Sequence, residues 1–365
     1  MYLKALSLLD YKNIEQADLA FSPKLNCFLG DNGAGKTNLL DAIYYLSFCK
    51  SFFNSIDGQN VRHLGEMFML QGKYKRMDED EIVAVGFKLG FKKQLKRNQK
   101  PYKRFSEHIG LFPLVMVSPA DTSLILGGSD ERRKFMDGVI SQFDRHYLDA
   151  LLRYNRALMQ RNNLLKHFNE TRKFDGDTLS IYDEQLVDYG TLIFNKRKAF
   201  VDEIIPLFQK FYEYVSGGKE DVTLEYQSSL FDEDFREQLT QQQAKDRIVQ
   251  YTTVGIHKDD LQLDLGQYPI RKLGSQGQTK TYLIALKFAQ FEYLKNASEI
   301  KPILLLDDIF DKLDAGRVGK IIQLVSDDQF GQIFITDTNR EHLDGILKQM
   351  DTAHKIFRIE NGKVM

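Results

Sequence analysis

At 365 residues, with 42% apolar content and only two cysteines, the chain can bury a large core and form about two domains, which excludes a disordered protein and a small disulfide-stapled fold. The balance of 50 basic against 51 acidic residues leaves a net charge of −1, so any attraction to nucleic acid or membrane must be local. No apolar run approaches the roughly 20 residues a bilayer crossing needs, and Cys27 and Cys49 sit in apolar segments suited to small buried thiols, so a cytoplasmic protein with no membrane partner is expected.

Residues 1–29 carry short apolar segments around Leu3, Leu6, Leu8, Leu9, Ile14, Leu19 and Phe21, broken at 10–13 and at Pro23, which predicts two strands feeding a third. That third strand, Asn26 to Leu29, enters Gly30-Asp31-Asn32-Gly33-Ala34-Gly35-Lys36-Thr37, which fits the G-x-x-x-x-G-K-[ST] phosphate loop at every specified position. Its glycines let backbone N–H groups turn inward as an anion nest, Lys36 reaches the β and γ phosphates, and Thr37 offers its hydroxyl to Mg²⁺. A nucleoside triphosphate is the expected ligand. The spacing of Leu39, Leu40, Ile43 and Leu46 predicts a helix from Asn38 to Phe48, and Met67 to Lys75 and Ile82 to Leu95 read as strands separated by an acidic turn.

From Lys88 to Arg104 the charge is one-sided: Lys88, Lys92, Lys93, Lys96, Arg97, Lys100, Lys103 and Arg104 occur with no acid among them and are interleaved with Phe91 and Tyr102. Such a ribbon suits a phosphate backbone, and equally a hairpin edge guarded by lysines. Arg132 and Arg133 are weaker candidates for the same role. From Glu131 to Phe168 apolar residues recur at helical spacing, which predicts one long helix of roughly 55 Å at about 1.5 Å per residue. A second periodic run spans Leu186 to Val215, with Pro206 expected to kink or end it early. Joined by the polar break at 169–178, the two runs form an antiparallel hairpin. Val222 to Leu230 reads as a strand, Phe231 to Val249 as a polar helix, and Leu261, Leu263 and Leu265 as a return to sheet; His257 is expected to play a structural part beside Asp259.

Leu273-Gly274-Ser275-Gln276-Gly277-Gln278 precedes an apolar helix and forms a second anion-binding terminus. One nucleotide does not need two such termini from one chain, so the economical arrangement is a head-to-tail homodimer in which Ser275 covers the partner's triphosphate. Ile303 to Leu306, ending in Asp307 and Asp308, reads as a buried parallel strand whose acids sit beside the phosphate loop. Asp307 is placed for the Mg²⁺ shell and Asp308 for the attacking water.

These segments, with Asp311-Lys312-Leu313-Asp314 and the helical insertion, resemble the ABC-type ATPases of the SMC class. Further segments narrow the likeness: Asp10 to Ile14, the phosphate loop through Asn38, Ser118-Pro119, Gly127-Gly128, Arg132 to Asp137, Tyr154-Asn155, Gln160 to Asn162 and Gly255 to Leu261 resemble the bacterial RecF family of recombination mediators. The resemblance implies an α/β ATPase head built from the N- and C-terminal segments, 1–118 and 250–365, with an inserted antiparallel helical arm at 119–249. It implies a weak, DNA-stimulated ATPase using ATP and Mg²⁺. It also implies an ATP-driven homodimer that binds double-stranded DNA and its junctions with single strands, and that acts with RecO and RecR to load RecA and support the SOS response. Residue by residue, Gly30 to Asn38 bind nucleotide, with Thr37 and Asp307 serving the metal and Asp308 the water. Ser275 to Gln278 reach the partner's nucleotide, and Asp311 and Asp314 lie on the dimer-contact loop. Two departures point to slow hydrolysis: Asp308 stands where a glutamate is common, and neither a glutamine between Phe105 and Ser141 nor a histidine at 335–338 is present. A transporter's nucleotide-binding subunit is disfavoured by the long arm and the basic ribbon, a nuclease-coupled ATPase by the want of sequence after 338; a scaffold that uses ATP only as glue is the remaining alternative.

Overall fold

The computed structural model describes residues 1–218, 220–311, 313–327, 329–338 and 353–365. They form two compact units, one of Met1–Thr122, Lys210–Lys219 and Ser275–Met365, the other of Ser123–Gln209 and Glu220–Gly274.

The first unit, the head, holds two sheets. In the antiparallel sheet, β1 (Tyr2–Tyr11), β2 (Ile14–Ala20), β4 (Met67–Arg76), β5 (Glu79–Lys88), β6 (Gln94–Arg97) and β7 (Lys100–Pro101) run in the order β2-β1-β4-β5-β6-β7. In the second, β3 (Leu25–Leu29), β8 (Leu114–Val117), β12 (Ile303–Asp307), β13 (Ile333–Asp337), β14 (His354–Glu360) and β15 (Lys363–Val364) run in the order β15-β14-β3-β13-β12-β8. All these pairs are parallel except β14 with β15. β12 and β13 are buried at every position, which is why they read as unbroken apolar runs and not as alternation. The loop helix α1 (Lys36–Phe48) packs against both sheets through Leu39, Leu40, Ile43 and Leu46. The head also contains α8 (Gln276–Ser298) and α9 (Ala315–Ser326). Cys27 and Cys49 are free buried thiols, each pushed up to about 12 by burial.

The second unit is the arm. It contains α2 (Thr122–Leu126, its first residue in the head), α3 (Ser129–Ile140), α4 (Arg145–Thr171), most of α5 (Gly176–Ser216), α6 (Phe235–Val249) and α7 (Ile270–Leu273), with β9 (Val222–Gln227), β10 (Asp260–Leu265) and β11 (Tyr268–Pro269) in the order β11-β10-β9. The single helix expected over 131–168 is two. Asp144 leaves helical geometry and accepts the Tyr147 N–H at 2.9 Å, so it caps α4 and forces the break. Pro206, in turn, does not end α5, which runs to Ser216; Val201, Ile204 and Phe208 are buried on either side, and their packing outweighs one lost backbone bond. The hairpin itself is antiparallel: Arg161 of α4 meets Asp183 at 2.6 Å while Asp144, at its start, meets Lys196 at 2.7 Å. Residues 250–274, expected in the head, fall in the arm, because β10 pairs along its whole length with β9.

Candidate functional site

The phosphate loop takes its shape from positions that only glycine fills easily. A Cβ on Gly30 would lie 2.3 Å from the Ile359 carbonyl oxygen, and Gly35, the N-cap of α1, has φ of 117°. Lys36 is buried, and its ammonium group curls back onto the carbonyls of Gly30 at 2.7 Å and Asp31 at 3.0 Å. Those are donor bonds that phosphate oxygens can take over. Asn38, in the first turn, donates to Asn13 at 2.7 Å, and Asn13 donates back to the Gly33 and Ala34 carbonyls, so the strand turn at 12–13 braces the loop.

Parallel strands deliver the remaining groups at their carboxyl ends, where a crevice in an open α/β sheet binds its ligand. Asp307 closes β12 and is buried; its Oδ1 accepts from Thr37 Oγ1 at 2.9 Å and from Thr336 Oγ1 at 2.8 Å, and its Oδ2 from Ser118 Oγ at 3.3 Å. Burial pushes its carboxyl above the ordinary range, against the pull of those hydroxyls. A carboxylate and a hydroxyl in contact, with no cation among the described side chains bonded to them, are the hard oxygen pair that Mg²⁺ takes. Asp308 adopts the left-handed region, φ 44°, and its N–H donates to Thr336 Oγ1 at 3.1 Å. Burial, then the neighbouring Asp307, raise its carboxyl pKa.

Ser275 is the exposed N-cap of the 23-residue α8, in a reciprocal capping box with Gln278 that leads Gln276 and Gly277 into the first turn. Five residues on, Lys280 donates to the Asp308 carbonyl at 3.1 Å and the Asp311 carbonyl at 2.6 Å, tying this helix to the acidic loop. Asp314 caps α9 by accepting from the Arg317 N–H at 3.0 Å; Lys312, between the two acids, lies outside the described residues.

The basic ribbon divides. Lys92, Lys96, Lys100, Lys103 and Arg104 are exposed along the β6–β7 edge of the antiparallel sheet. Lys93 does not belong with them: it points inward to Asp57 at 3.0 Å, the Cys49 carbonyl at 2.6 Å and the Tyr45 hydroxyl at 3.0 Å. Arg97 likewise forks onto the buried carboxylate of Glu81. Arg132 is buried and bidentate to Asp260, and Arg133 donates to the Asp259 carbonyl, so both hold the arm together. His257 is structural, but its partner is not Asp259: it sits between the Tyr154 hydroxyl at 2.8 Å and the Thr252 carbonyl at 3.0 Å. Ser118 and Thr336 are the site residues that sequence reasoning left without a role. Strand register was the signal, since Leu306 lies opposite Val117 and Asp307 opposite Thr336.

A family model described as the RecF/RecN/SMC N terminal domain matches residues 2–364. The DNA replication and repair protein RecF of Phocaeicola vulgatus is 56% identical over 366 residues, covering 100% of this chain and 98% of that protein. Its counterpart from Bacteroides fragilis is 55% identical over the same shares of each chain. Among solved structures, the recombination mediator protein RecF with ATP, described in the RecFOR pathway, superposes with a TM-score of 0.89 at 31% identity, covering 100% of this chain and 97% of that one. An SMC head bound to the C-winged helix domain of ScpA shares the fold, with a TM-score of 0.61 at 15% identity.

Proposed function

Because the chain belongs to the RecF family of SMC-type P-loop proteins, we propose that it is an ATP-dependent DNA-binding protein of replication and recombinational repair, two copies of which close on each other when each holds Mg²⁺-ATP. One observation carries this reading: Thr37 and Asp307, 270 positions apart in the chain, meet at 2.9 Å at the mouth of the phosphate loop. Lys36 and the loop amides bind the triphosphate, Thr37 and Asp307 hold the cation, and Asp308 orients the attacking water and accepts its proton. When bound, Mg²⁺ neutralises charge building on the phosphates. Ser275 to Gln278, with Ser275 and Gln276 exposed at the start of α8, cover the partner's triphosphate, and Asp311 and Asp314 line the contact.

Nucleotide occupancy then sets the grip on duplex DNA and on duplex–single-strand junctions, coupling binding to assembly. In the cytoplasm, with RecO and RecR, the closed dimer marks gaps for RecA loading and so feeds the SOS response. Hydrolysis is a slow clock, because the side chain of Asp308 is one methylene shorter than a glutamate. A scaffold that uses ATP only as glue shares that short acid; it predicts no turnover with or without DNA.

Sedimentation with ATP, ADP or no nucleotide, each with and without duplex DNA, tests the proposal. A dimer with ATP alone is expected, and Lys36→Met should stay monomeric because the phosphates lose their buried cation. A wild-type protein that stays monomeric at saturating Mg²⁺-ATP and DNA overturns it. For the DNA surface, charge reversal at Lys96, Lys100 and Lys103 should lower the slope of log affinity against log salt by about three. An unchanged slope removes the ribbon from the account.

A further inference from the structure

The family resemblance implies a γ-phosphate-sensing glutamine ahead of the arm, and this chain has none from Phe105 to Ser141. The structure puts something else there. β8 and β12 run parallel in register, so the residue after Val117 lies beside the residue after Leu306. Those residues are Ser118 and Asp307. Ser118 is 3% exposed, and its hydroxyl is the side-chain donor to Asp307 Oδ2, the oxygen turned away from Thr37 and Thr336.

Ser118 is fixed from behind. Asp121 accepts the Ser118 N–H at 2.9 Å in a capping box, and its other oxygen takes the Lys287 ammonium at 2.6 Å. Both members of that ion pair are less than a tenth exposed. Lys287 belongs to α8, the helix that Ser275 opens and that packs on β8. A continuous chain of polar contacts therefore runs from the cation-binding acid to the helix that carries the segment covering the partner's nucleotide. A buried ion pair gives little net stability compared with apolar side chains of the same size, so stability alone is a weak reason for this one.

We propose that Ser118 takes the place of the missing glutamine: a positioning residue that reads the Mg²⁺-triphosphate at Asp307 and passes its presence through Asp121 and Lys287 to α8. The proposal deepens the reading of the site as a Mg²⁺-ATP pocket completed by a second copy. Nucleotide that carries the γ-phosphate alters what surrounds Asp307 Oδ2, Ser118 turns with it, and the Asp121–Lys287 pair moves α8 and Ser275 into the position the partner needs.

The test compares fluorescent ATP-analogue and ADP affinities, together with the protein concentration at which ATP drives dimerisation, for wild type, Ser118→Ala, Ser118→Thr and Lys287→Met. Loss of a hydrogen bond to a charged group is expected to cut the preference of Ser118→Ala for ATP over ADP about tenfold, with ADP affinity unchanged. Ser118→Thr, which keeps the hydroxyl, should restore that preference. Lys287→Met should keep the preference and need about tenfold more protein to dimerise, since the contact it removes is downstream of sensing. A purely structural serine would lower the melting temperature and leave the ATP-to-ADP ratio intact. Ser118→Ala with an undiminished ratio overturns the proposal, as does Lys287→Met with wild-type assembly. Should the wild type itself fail to dimerise, the assembly reading falls, while the nucleotide ratio still decides the role of Ser118.

Discussion

The head and the arm each bury a carboxylate that burial pushes upward, and they solve the problem in opposite ways. Asp307 in the head is met by three hydroxyls, from Thr37, Thr336 and Ser118. Asp259 in the arm is met by the guanidinium of Arg197 at 3.0 Å and by the Tyr226 hydroxyl. A hydroxyl can turn from donor to ligand when a cation arrives, whereas a guanidinium leaving a carboxylate strands two buried charges. The head cluster is therefore open to exchange and the arm cluster is a fixed joint. Charge and burial alone do not tell a site from a scaffold. The exchangeability of the partners does.

The comparison can be broken most directly at Asp308. Asp308→Asn removes the proposed proton acceptor and is expected to lower turnover about 100-fold while ATP-dependent dimerisation in sedimentation stays as in wild type. Turnover of the wild type should fall on acidification through a raised carboxyl range, because Asp308 must be ionised to accept a proton and burial holds its pKa up. If Asp308→Asn hydrolyses ATP normally, the head cluster has another acceptor.

Next in size is the arm. Arg197 is 2% exposed and bound to both Asp137 and Asp259, so Arg197→Met should destabilise the protein by about 3–5 kcal/mol, read by denaturant melts, with nucleotide affinity unchanged. A loss of ATP binding equal to the loss of stability would erase the distinction between joint and site.

The smallest effect sharpens a likeness instead. Among the described residues, the head buries His108 and the arm partly buries His257, each with its Nε2 donating to a carbonyl and its Nδ1 accepting from a tyrosine: His108 with Leu46 and Tyr102, His257 with Thr252 and Tyr154. Burial lowers both to about 4 from 6.5. The folded value is depressed, so the stability each supplies is complete above about pH 6.5 and is lost as pH falls toward 4, when the unfolded chain takes up a proton the folded one refuses. About 3 kcal/mol each is at stake. His108→Gln and His257→Gln should each flatten the loss of stability between pH 6.5 and 4.5 relative to wild type; unchanged slopes would mean the imidazoles charge in place.

Much was legible in the chain. The phosphate loop, the β12 run ending in two acids and the segment before α8 are local patterns, since each needs particular side chains at fixed spacing within one turn or one strand. The periodic arm was legible for the same reason, while its break at 141–144 was not: one capping aspartate outweighs an apolar period that continues across it. Lys93 and Arg97 looked like the lysines around them because a run of charge does not say which side chain has an inward neighbour; Asp57 and Glu81 lie 36 and 16 positions away.

By itself, then, the sequence determined the phosphate-loop motif, the apolar run ending in two acids and the periodic helical segments, which follow from short-range spacing, while a head assembled from both ends of the chain around an inserted arm came from the family resemblance. Only the tertiary structure decided that Ser118 and Thr336 share Asp307 with Thr37, that residues 250–274 build the arm, and which cations of the ribbon face water. Those facts depend on which strands lie side by side, and strand neighbours are chosen by packing between segments hundreds of residues apart.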